Sequence, residues 1–348
     1  MIEINNQKLE NFGKPFVVAE AGINHNGKLS KAFEMIKVAK QAGADAVKFQ
    51  TFKAEEFCGD KAQIFTYQSQ GKEITEPMFE MFQRHEFDYD EWLQIKKKCD
   101  DENILFLSTP QNRSDLGLLL ELDLPAIKVG SDDFTNLPLL EDYSTTKLPM
   151  IVSCGMSDLA EVYQALDVIG TFEGYPTILL LCTSQYPTPP EDVNLLKLKT
   201  LASAFPDLVL GFSDHTQGSL ASSLAVSFGA VFFEKHFTLD NNLPGPDHWF
   251  SENPENLKTW VESIHQSYQM MGNALVRPTT KELEMRKLAR RSIVILKDIR
   301  SGDKFTEENI GLRRAGNGLA PILIKSILGS FALRDLVEGS LLELKDVK

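Results

Sequence analysis

The sequence predicts an α/β protein, a (β/α)8 barrel followed by a small all-β domain. Eight short apolar runs rich in β-branched and aromatic residues alternate with segments of helical periodicity. Eight such units over about 260 residues suit a (β/α)8 barrel, which typically needs roughly 250. A doubly wound sheet is the alternative, but no glycine-rich nucleotide-binding turn follows the first run. The predicted barrel domain spans residues 1–275.

The predicted strands are short apolar runs, and a predicted helix fills each gap between them. The strands are 16–22, 45–51, 104–109, 126–131, 149–155, 177–184, 208–215 and 230–237. The helices are 29–42, 89–101, 114–122, 137–144, 158–168, 193–204, 218–228 and 255–271. The gap at residues 52–88 is unusually long and rich in Phe and Met. Long βα loops lie at the catalytic face of a barrel, so this segment is expected to form a lid or pocket wall, an extra helix on the rim, or both.

The pattern changes after Gly272. Residues 276–290 contain a proline and many charges, and they predict a linker with a short helix. Residues 291–348 show short β-like runs separated by glycine-containing turns. This pattern is typical of a small, turn-rich all-β domain.

Bulk composition excludes several classes of function. The net charge of −13 argues against nucleic acid or an anionic membrane surface as a partner. The N-terminus has no basic stretch followed by an apolar one, and no apolar run reaches the roughly 18 residues of a membrane span, so a cytoplasmic protein is expected. The four cysteines lack CxxC spacing and predict neither a disulfide framework nor a zinc site.

Two histidines, His215 and His236, end neighbouring predicted strands. Ser213 lies two residues before the first and Glu234 two residues before the second, so each polar pair faces one side of its strand. Adjacent parallel strands lie about 5 Å apart, so two imidazoles at equivalent positions can share one metal ion. Either histidine alone would more often be a buried core residue, but the matched pair favours a metal site.

The other predicted strands also end in polar residues. These are Glu20, Lys48, Gln50, Thr109, Lys128, Ser131, Ser153, Ser184 and Tyr186. Two lysines among hydroxyl groups predict a phosphate or carboxylate site. Glu20 and Glu234 are the inward carboxylates, and either can serve as a general acid or base. Two roles remain open for His25, capping of the following helix or contact with a substrate.

Motifs along the chain resemble the sialic acid synthase family, which includes the N-acetylneuraminate, legionaminate and pseudaminate synthases. The matching segments are AEAGINHNG (19–27), VKFQT (47–51), KVGS (128–131), CTSQYP (182–187), GFSDHT (211–216), FEKHFT (233–238), GPDH (245–248), RRSIV (290–294) and RRAGNG (313–318). The last of these resembles the signature of the antifreeze-like (SAF) domain that ends members of this family. The resemblance covers essentially the whole chain.

The resemblance implies a transferase that condenses phosphoenolpyruvate with an N-acylated hexose, N-acetylmannosamine or a related sugar. The products would be a nine-carbon 2-keto acid and phosphate. It also implies a divalent ion that polarises the sugar's aldehyde, usually Mn²⁺, with Mg²⁺ or Co²⁺ as alternatives, although imidazole ligands alone would favour Zn²⁺ or Fe²⁺. A legionaminate or pseudaminate synthase, or an enzyme for a 6-phosphorylated sugar, remains an alternative.

Motif positions carry family roles onto particular residues of this chain. Phosphoenolpyruvate would be held by Lys48, Thr109, Lys128, Ser131, Ser153, Ser184 and Ser213. The metal ligands would be His215 and His236, and the carboxylate that handles protons would be Glu20. Glu234 is a second catalytic candidate because of its inward position on the strand. The sugar would contact Gln50, Tyr186, Asp247 and Arg314. Family members insert the arginine at position 314 into the partner subunit's barrel, so a domain-swapped homodimer is implied.

Two departures from the family pattern affect these assignments. Ala315 replaces the usual proline, which loosens the turn beside Arg313 and Arg314. Ser184 stands where neuraminate-forming bacterial enzymes often carry Asn, which keeps acceptors other than N-acetylmannosamine open.

Two further hypotheses fit the sequence less well. A metal-dependent hydrolase on the same barrel would need more His or Asp ligands on the first and fifth strands, where this chain has Glu20 and Ser153. A scaffold that carries an ice- or polysaccharide-binding C-terminal domain would have no use for costly buried charges in the barrel.

Overall fold

The structure is a computed structural model that describes all residues from Met1 to Lys348. It divides into two compact units, Met1–Gly272 and Asn273–Lys348. In the first unit eight parallel strands form a nearly closed barrel, which confirms the predicted fold class. No helix combines the length and the apolar character that crossing a bilayer would require.

Fourteen strands and thirteen α-helices make up the chain. The strands are β1 (Ile2–Ile4), β2 (Gln7–Leu9), β3 (Phe16–Gly22), β4 (Ala46–Thr51), β5 (Ile64–Ser69), β6 (Lys72–Pro77), β7 (Leu105–Pro110), β8 (Ile127–Val129), β9 (Met150–Ser153), β10 (Thr177–Cys182), β11 (Val209–Ser213), β12 (Phe232–His236), β13 (Arg291–Ile295) and β14 (Ile310–Arg314). The helices are α1 (Leu29–Ala42), α2 (Ala54–Phe57), α3 (Met78–Gln83), α4 (Tyr89–Asp101), α5 (Arg113–Glu121), α6 (Leu137–Ser144), α7 (Leu159–Ile169), α8 (Pro190–Val193), α9 (Lys197–Ala204), α10 (Leu220–Ser227), α11 (Pro254–Met271), α12 (Thr280–Ala289) and α13 (Ile324–Ile327).

The barrel sheet runs in the order β7-β4-β3-β12-β11-β10-β9-β8. Its strands form because they are apolar on both faces, as buried parallel strands usually are. Along β3, Val17 and Ala19 pack with the surrounding helices, whereas Phe16 and Val18 join a cluster inside the barrel. This alternation places every second side chain of a barrel strand in the interior.

Apolar side chains fill the barrel interior at the N-terminal ends of its strands. Phe16 and Phe232 stack there with ring centroids 5.3 Å apart. The antiparallel pair β1–β2, which the sequence analysis did not predict, adds Ile2, Ile4 and Leu9 to the same cluster. We call this cluster the floor of the barrel. Because the floor is apolar, the polar interior residues gather at the opposite, C-terminal end.

The eight predicted barrel strands are all present, but several end earlier than predicted. β11 ends at Ser213 and β10 at Cys182, so His215 and Ser184 lie in the loops just beyond them. The helix predicted at 193–204 is wrong in its first part. It is broken into α8 and α9 because Asn194 adopts a positive φ of 51°, which an α-helix does not tolerate.

Residues 52–88, which we call the lid segment, contain two short helices and a strand pair. α2 and α3 flank the antiparallel pair β5–β6. Phe82 packs edge to face on both Phe52 and Phe57, in a small aromatic cluster within the segment. Backbone and side-chain hydrogen bonds join Ser69 and Gln70, at the tip, to the loop that follows β12. The segment is therefore held at both its base and its tip.

The second unit has its own apolar core. β13 and β14 pair antiparallel in a register that sets Arg291 opposite Arg314. Ile293, Phe305 and Ile310 are among the buried residues of this core. α12, within the predicted linker, begins with a capping box, and Arg314 is exposed as the last residue of β14.

Candidate active site

A cavity of about 310 Å³ lies at the C-terminal ends of the barrel strands. We call it the inner cavity. It brings together most of the predicted site residues, namely Glu20, Lys48, Gln50, Thr109, Lys128, Ser131, Ser153, Ser184, Tyr186, Ser213, His215, Glu234 and His236. Asp247 lines the neighbouring outer cavity instead, and Arg314 belongs to the second unit. The convergence follows from the strand period, which turns these polar residues inward above the floor.

Two lysines and two glutamates form a buried cluster in the inner cavity. Lys48 Nζ lies 2.7 Å from Glu20 Oε2 and 3.5 Å from Glu234 Oε2, and all three side chains are almost fully buried. Lys128 Nζ lies 3.7 Å from Glu234 Oε1 and donates to Ser153 Oγ at 2.8 Å. The longer contact of Lys128 leaves this ammonium group available to an anion that enters the cavity.

The two glutamates of the cluster are driven toward opposite protonation states. Burial raises the pKa of Glu20 to about 7, because the loss of solvation outweighs the attraction of Lys48. Burial alone would also raise the pKa of Glu234, but Lys128 and Lys48 together outweigh it and lower that pKa. Neighbouring carboxylates whose pKa values are driven apart are typical of an acid–base site. Glu20 is therefore the group suited to proton transfer, and Glu234 is a permanent anion.

The two histidines have arrangements that suit metal ligands. His215 Nδ1 lies 2.8 Å from the carbonyl oxygen of Thr183, so the hydrogen-bond network places its proton on Nδ1 and leaves a lone pair on Nε2. His236 Nδ1 is buried and makes no hydrogen bond. The two ring centroids are 5.7 Å apart. An imidazole fixed through its second nitrogen, beside another with an unsatisfied nitrogen, fits the binding of a divalent ion.

The pKa values of these histidines differ in direction. Burial, and then the proximity of His215, lowers the pKa of His236 well below its usual range, so this imidazole is neutral and can act as a ligand. Burial would also lower the pKa of His215, but Cys182 and the Thr183 carbonyl outweigh it and raise that pKa. No group of three or more His, Cys, Asp or Glu side chains has a metal-binding arrangement anywhere in the structure. An ion held by the two histidines would therefore need other ligands.

An outer cavity of about 510 Å³ shares Gln50, Ser184, Tyr186 and His236 with the inner one. Its remaining lining residues are Phe65, Thr66, Tyr67, Gln68, Glu73, Gln185, Pro246, Asp247, Trp249 and Phe250. Aromatic rings form much of its wall, and Tyr186 packs on Phe250 with ring centroids 5.1 Å apart. No lysine or arginine of this chain lines the outer cavity, whereas Glu73 and Asp247 do. Burial raises the pKa of Asp247 to about 6.

The sequence analysis missed several lining residues. Phe65, Gln68 and Glu73 were not identified individually, although the aromatic content of the lid segment pointed to a pocket wall. A usable signal was the Gln70-Gly71 turn, where both residues have positive φ, as the tight turn of a β-hairpin requires. In the inner cavity Gln111 and Asp132 were also missed.

His25 lines neither cavity. Its Nδ1 accepts a hydrogen bond from the Gly27 backbone N–H at 3.1 Å, and its ring stacks on Phe87 at 4.3 Å. Burial lowers its pKa to about 3. The sequence left two roles open for His25, and the structure favours a structural role near the start of α1 over contact with a substrate. It stabilises the turn before α1, although Lys28 rather than His25 is the N-cap residue.

Comparisons with known proteins identify the family of this chain. The NeuB family model matches residues 35–275, and the SAF domain model matches residues 290–348. The N,N'-diacetyllegionaminic acid synthase of Legionella pneumophila is 39% identical over 331 residues, which is 94% of this chain and 93% of that protein. The synthase of the same name from Campylobacter jejuni is 38% identical over 334 residues, 94% of this chain and 99% of that protein.

A solved structure is also similar. The crystal structure of N-acetylneuraminic acid synthetase from Leptospira borgpetersenii, in complex with citrate, superposes with a TM-score of 0.72 at 32% identity. The match covers 82% of this chain and 94% of that one. The chain therefore belongs to the NeuB family of sialic-acid-type synthases, as its motifs predicted, and it carries a C-terminal SAF domain.

Proposed function

We propose that this enzyme condenses phosphoenolpyruvate with a neutral, N-acylated hexose to give a nine-carbon 2-keto acid and phosphate. The observation that carries the proposal is the division of charge between the two joined cavities. The inner cavity contains Lys48 and Lys128, and no lysine or arginine of this chain lines the outer cavity. An anionic and a neutral substrate would thus meet where the cavities join, beside Gln50 and His236.

Phosphoenolpyruvate suits the inner cavity because it carries two anionic groups. Lys48, Lys128 and the hydroxyl groups of Thr109, Ser153 and Ser213 supply donors for its phosphate and carboxylate. A hydrogen bond to a charged group contributes about 1.5–3 kcal/mol. Glu234 is at present a counter-charge for both lysines, and a bound anion would partly replace it in that role.

We further propose that His215 and His236 hold a divalent ion, with Mn²⁺ the ion expected from the family resemblance. When bound, such an ion would polarise the aldehyde of the open-chain acceptor. The two imidazoles leave room for oxygen ligands from water and substrate, since the protein supplies no third His, Cys, Asp or Glu. The contact from His215 Nδ1 to the Thr183 carbonyl would keep the ligand nitrogen oriented.

Glu20 is the proposed proton donor. The new bond joins C3 of the enolpyruvate to the aldehyde carbon, whose oxygen gains a proton and becomes a hydroxyl. Water then adds at C2, and the resulting intermediate expels phosphate, so the reaction balances with one water consumed. Glu20 is buried beside Gln50, which donates to its Oε1 at 3.3 Å, and its raised pKa keeps a proton available near neutral pH.

The outer cavity supports a neutral acceptor. Glu73 and Asp247 can accept hydrogen bonds from hydroxyl and amide groups, but they would repel a sugar phosphate. Trp249 and Phe250 offer apolar faces for acetyl groups and for the sugar ring. Both relatives described above are named as N,N'-diacetyllegionaminic acid synthases, so an acceptor with two acetamido groups is the leading choice.

Arg314 has a proposed role in a homodimer. The family resemblance supports its insertion into the acceptor site of the partner subunit, where its guanidinium would hold an acyl carbonyl. Its exposed position at the end of β14 leaves it free to act in this way.

The test is phosphate release from phosphoenolpyruvate in the presence of Mn²⁺ and a panel of acceptors. The panel contains N-acetylmannosamine, its 6-phosphate, and a hexose with two acetamido groups. Release should require a neutral acceptor, and the 6-phosphate should be inert. Faster release with the 6-phosphate would overturn the proposed acceptor class. Release without any hexose would favour the hydrolase alternative and overturn the synthase proposal.

A further inference from the structure

A buried ion cluster lies on the outward face of the two strands that lead to the histidines. Asp214, Lys235 and Glu252 are 0%, 2% and 4% exposed. Lys235 Nζ lies 3.1 Å from Asp214 Oδ2 and 3.7 Å from Glu252 Oε1. In a barrel this layer between strands and helices is normally apolar. Neither cavity is lined by these three residues.

The cluster is tied to the loop after β11 by further hydrogen bonds. Asp214 accepts from Ser222 Oγ at 2.6 Å and from the hydroxyl of Thr216 at 2.7 Å. Lys235 Nζ donates to the carbonyl oxygen of Thr216. Glu252 Oε1 accepts from the backbone N–H of Gly218 at 2.7 Å. The loop therefore has little freedom relative to β12.

The same residues are adjacent to both histidines in the chain. Asp214 precedes His215, and Lys235 precedes His236. The backbone N–H of Asp214 donates to the Glu234 carbonyl at 2.8 Å, and that of Glu252 donates to the His236 carbonyl at 2.9 Å. An ion pair between Asp214 and Lys235 thus links the two peptide segments that carry the imidazoles.

Stability alone is a weak reason for this arrangement. The three charges sum to −1, and each has lost its hydration. Replacing a buried ion pair by apolar residues of similar size is often neutral or stabilising, whereas such a pair can specify one geometry among several. An ion pair that fixes one geometry is useful where two imidazoles must bind the same metal ion.

We propose that Asp214, Lys235 and Glu252 are positioning residues that hold His215 and His236 at the spacing needed to share one divalent ion. They act through the backbone and touch neither substrate. This inference rests on the metal site proposed above, and it extends that site to the opposite face of the strands.

The main test is a charge-free variant, Asp214→Asn/Lys235→Met/Glu252→Gln, in the full-length protein. Its Mn²⁺ affinity is measured by electron paramagnetic resonance of the free ion, and its unfolding midpoint by calorimetry. We expect affinity for Mn²⁺ to fall about 10- to 100-fold, as for other residues that orient metal ligands. The unfolding midpoint and the affinity for phosphoenolpyruvate should change little. The single variant Lys235→Arg, which keeps the positive charge, should bind Mn²⁺ nearly as well as wild type.

A matched control is Asp45→Asn. Asp45 is a partly buried carboxylate that accepts from the Val17 backbone N–H at 2.8 Å, near the N-terminal ends of the strands. This variant should leave Mn²⁺ binding unchanged. Wild-type Mn²⁺ affinity in the charge-free variant, or an equal loss in Asp45→Asn, would overturn the positioning role.

A milder variant keeps the proposal testable if the charge-free protein fails to fold. Ser222→Ala removes one hydrogen bond to Asp214 and the acceptor of the Trp260 indole N–H, but no charge. It should weaken Mn²⁺ binding a few-fold at an unchanged affinity for phosphoenolpyruvate, and unchanged Mn²⁺ binding would overturn the proposal. If His236→Ala binds Mn²⁺ as tightly as wild type, the metal site itself is misplaced, and the proposed function fails at that point along with this inference.

Discussion

Replacing Lys128 by methionine should weaken phosphoenolpyruvate binding selectively. The substitution keeps the length and apolar stem of the side chain but removes an ammonium group that is 3% exposed. In the wild type this group donates to the Ser153 hydroxyl and to the Val129 carbonyl, both at 2.8 Å. One charge-assisted contact contributes about 1.5–3 kcal/mol, so the affinity should fall about 10- to 150-fold.

Lys48 provides the comparison. Its ammonium group lies within 3.5 Å of both glutamates of the cluster, so Lys48→Met leaves Glu20 without its ion-pair partner. Breaking a buried ion pair on one side typically costs about 3–5 kcal/mol of folding free energy. Lys128 sits at 3.7 Å from Glu234, and Glu234 would keep Lys48, so the folding free energy should fall less in Lys128→Met.

The assay combines steady-state kinetics with denaturant unfolding. For Lys128→Met we expect KM for phosphoenolpyruvate to rise while KM for the acceptor stays within a few-fold of wild type. Lys48→Met should show the same kinetic defect together with a lower unfolding midpoint. A Lys128 variant that loses acceptor affinity alone would refute the assignment of the two substrates to the two cavities.

The remaining predictions concern the metal, the proton donor and the dimer. His215→Ala and His236→Ala should each abolish turnover while the circular dichroism spectrum is preserved, and near-normal activity in either without added metal would contradict the metal site. Because the pKa of Glu20 is raised to about 7, its acid form is present below that pH and lost above it, so kcat should fall as pH rises above 7. A kcat that instead rises through this range would show that Glu20 does not act as the acid. Truncation after Arg290 should leave a folded barrel with little synthase activity. Mixing the inactive His236→Ala and Arg314→Ala proteins should restore activity, and no recovery despite proven subunit exchange would exclude a role in the partner subunit.

The barrel and most of its polar lining could be predicted because both depend on local periodicity. Strands such as β3 are apolar on both faces, and a polar residue at the C-terminal end of such a strand, such as Glu20 or Lys48, is conspicuous. The period of two then determines which side chains face inward. The prediction needed no knowledge of contacts between distant segments.

Features that depend on long-range contacts could not be predicted from local periodicity. Asp214 and Lys235 looked like ordinary polar positions because their partner Glu252 lies in a loop after the last barrel strand. His25 stayed ambiguous because its packing on Phe87 joins two loops that are distant in sequence. The positions at which β10 and β11 end also depend on pairing with neighbouring strands, which apolar runs alone do not reveal.

The apolar floor has a consequence for substrate binding. Since Phe16, Phe232 and the β1–β2 pair fill the barrel below the site, both substrates must arrive from the loop side. The two cavities share Gln50, Ser184, Tyr186 and His236, so their occupants would lie against one another on that side. Binding of an unreactive acceptor analogue should therefore change the apparent affinity for the anionic substrate, and fully independent binding of the two would contradict this expectation.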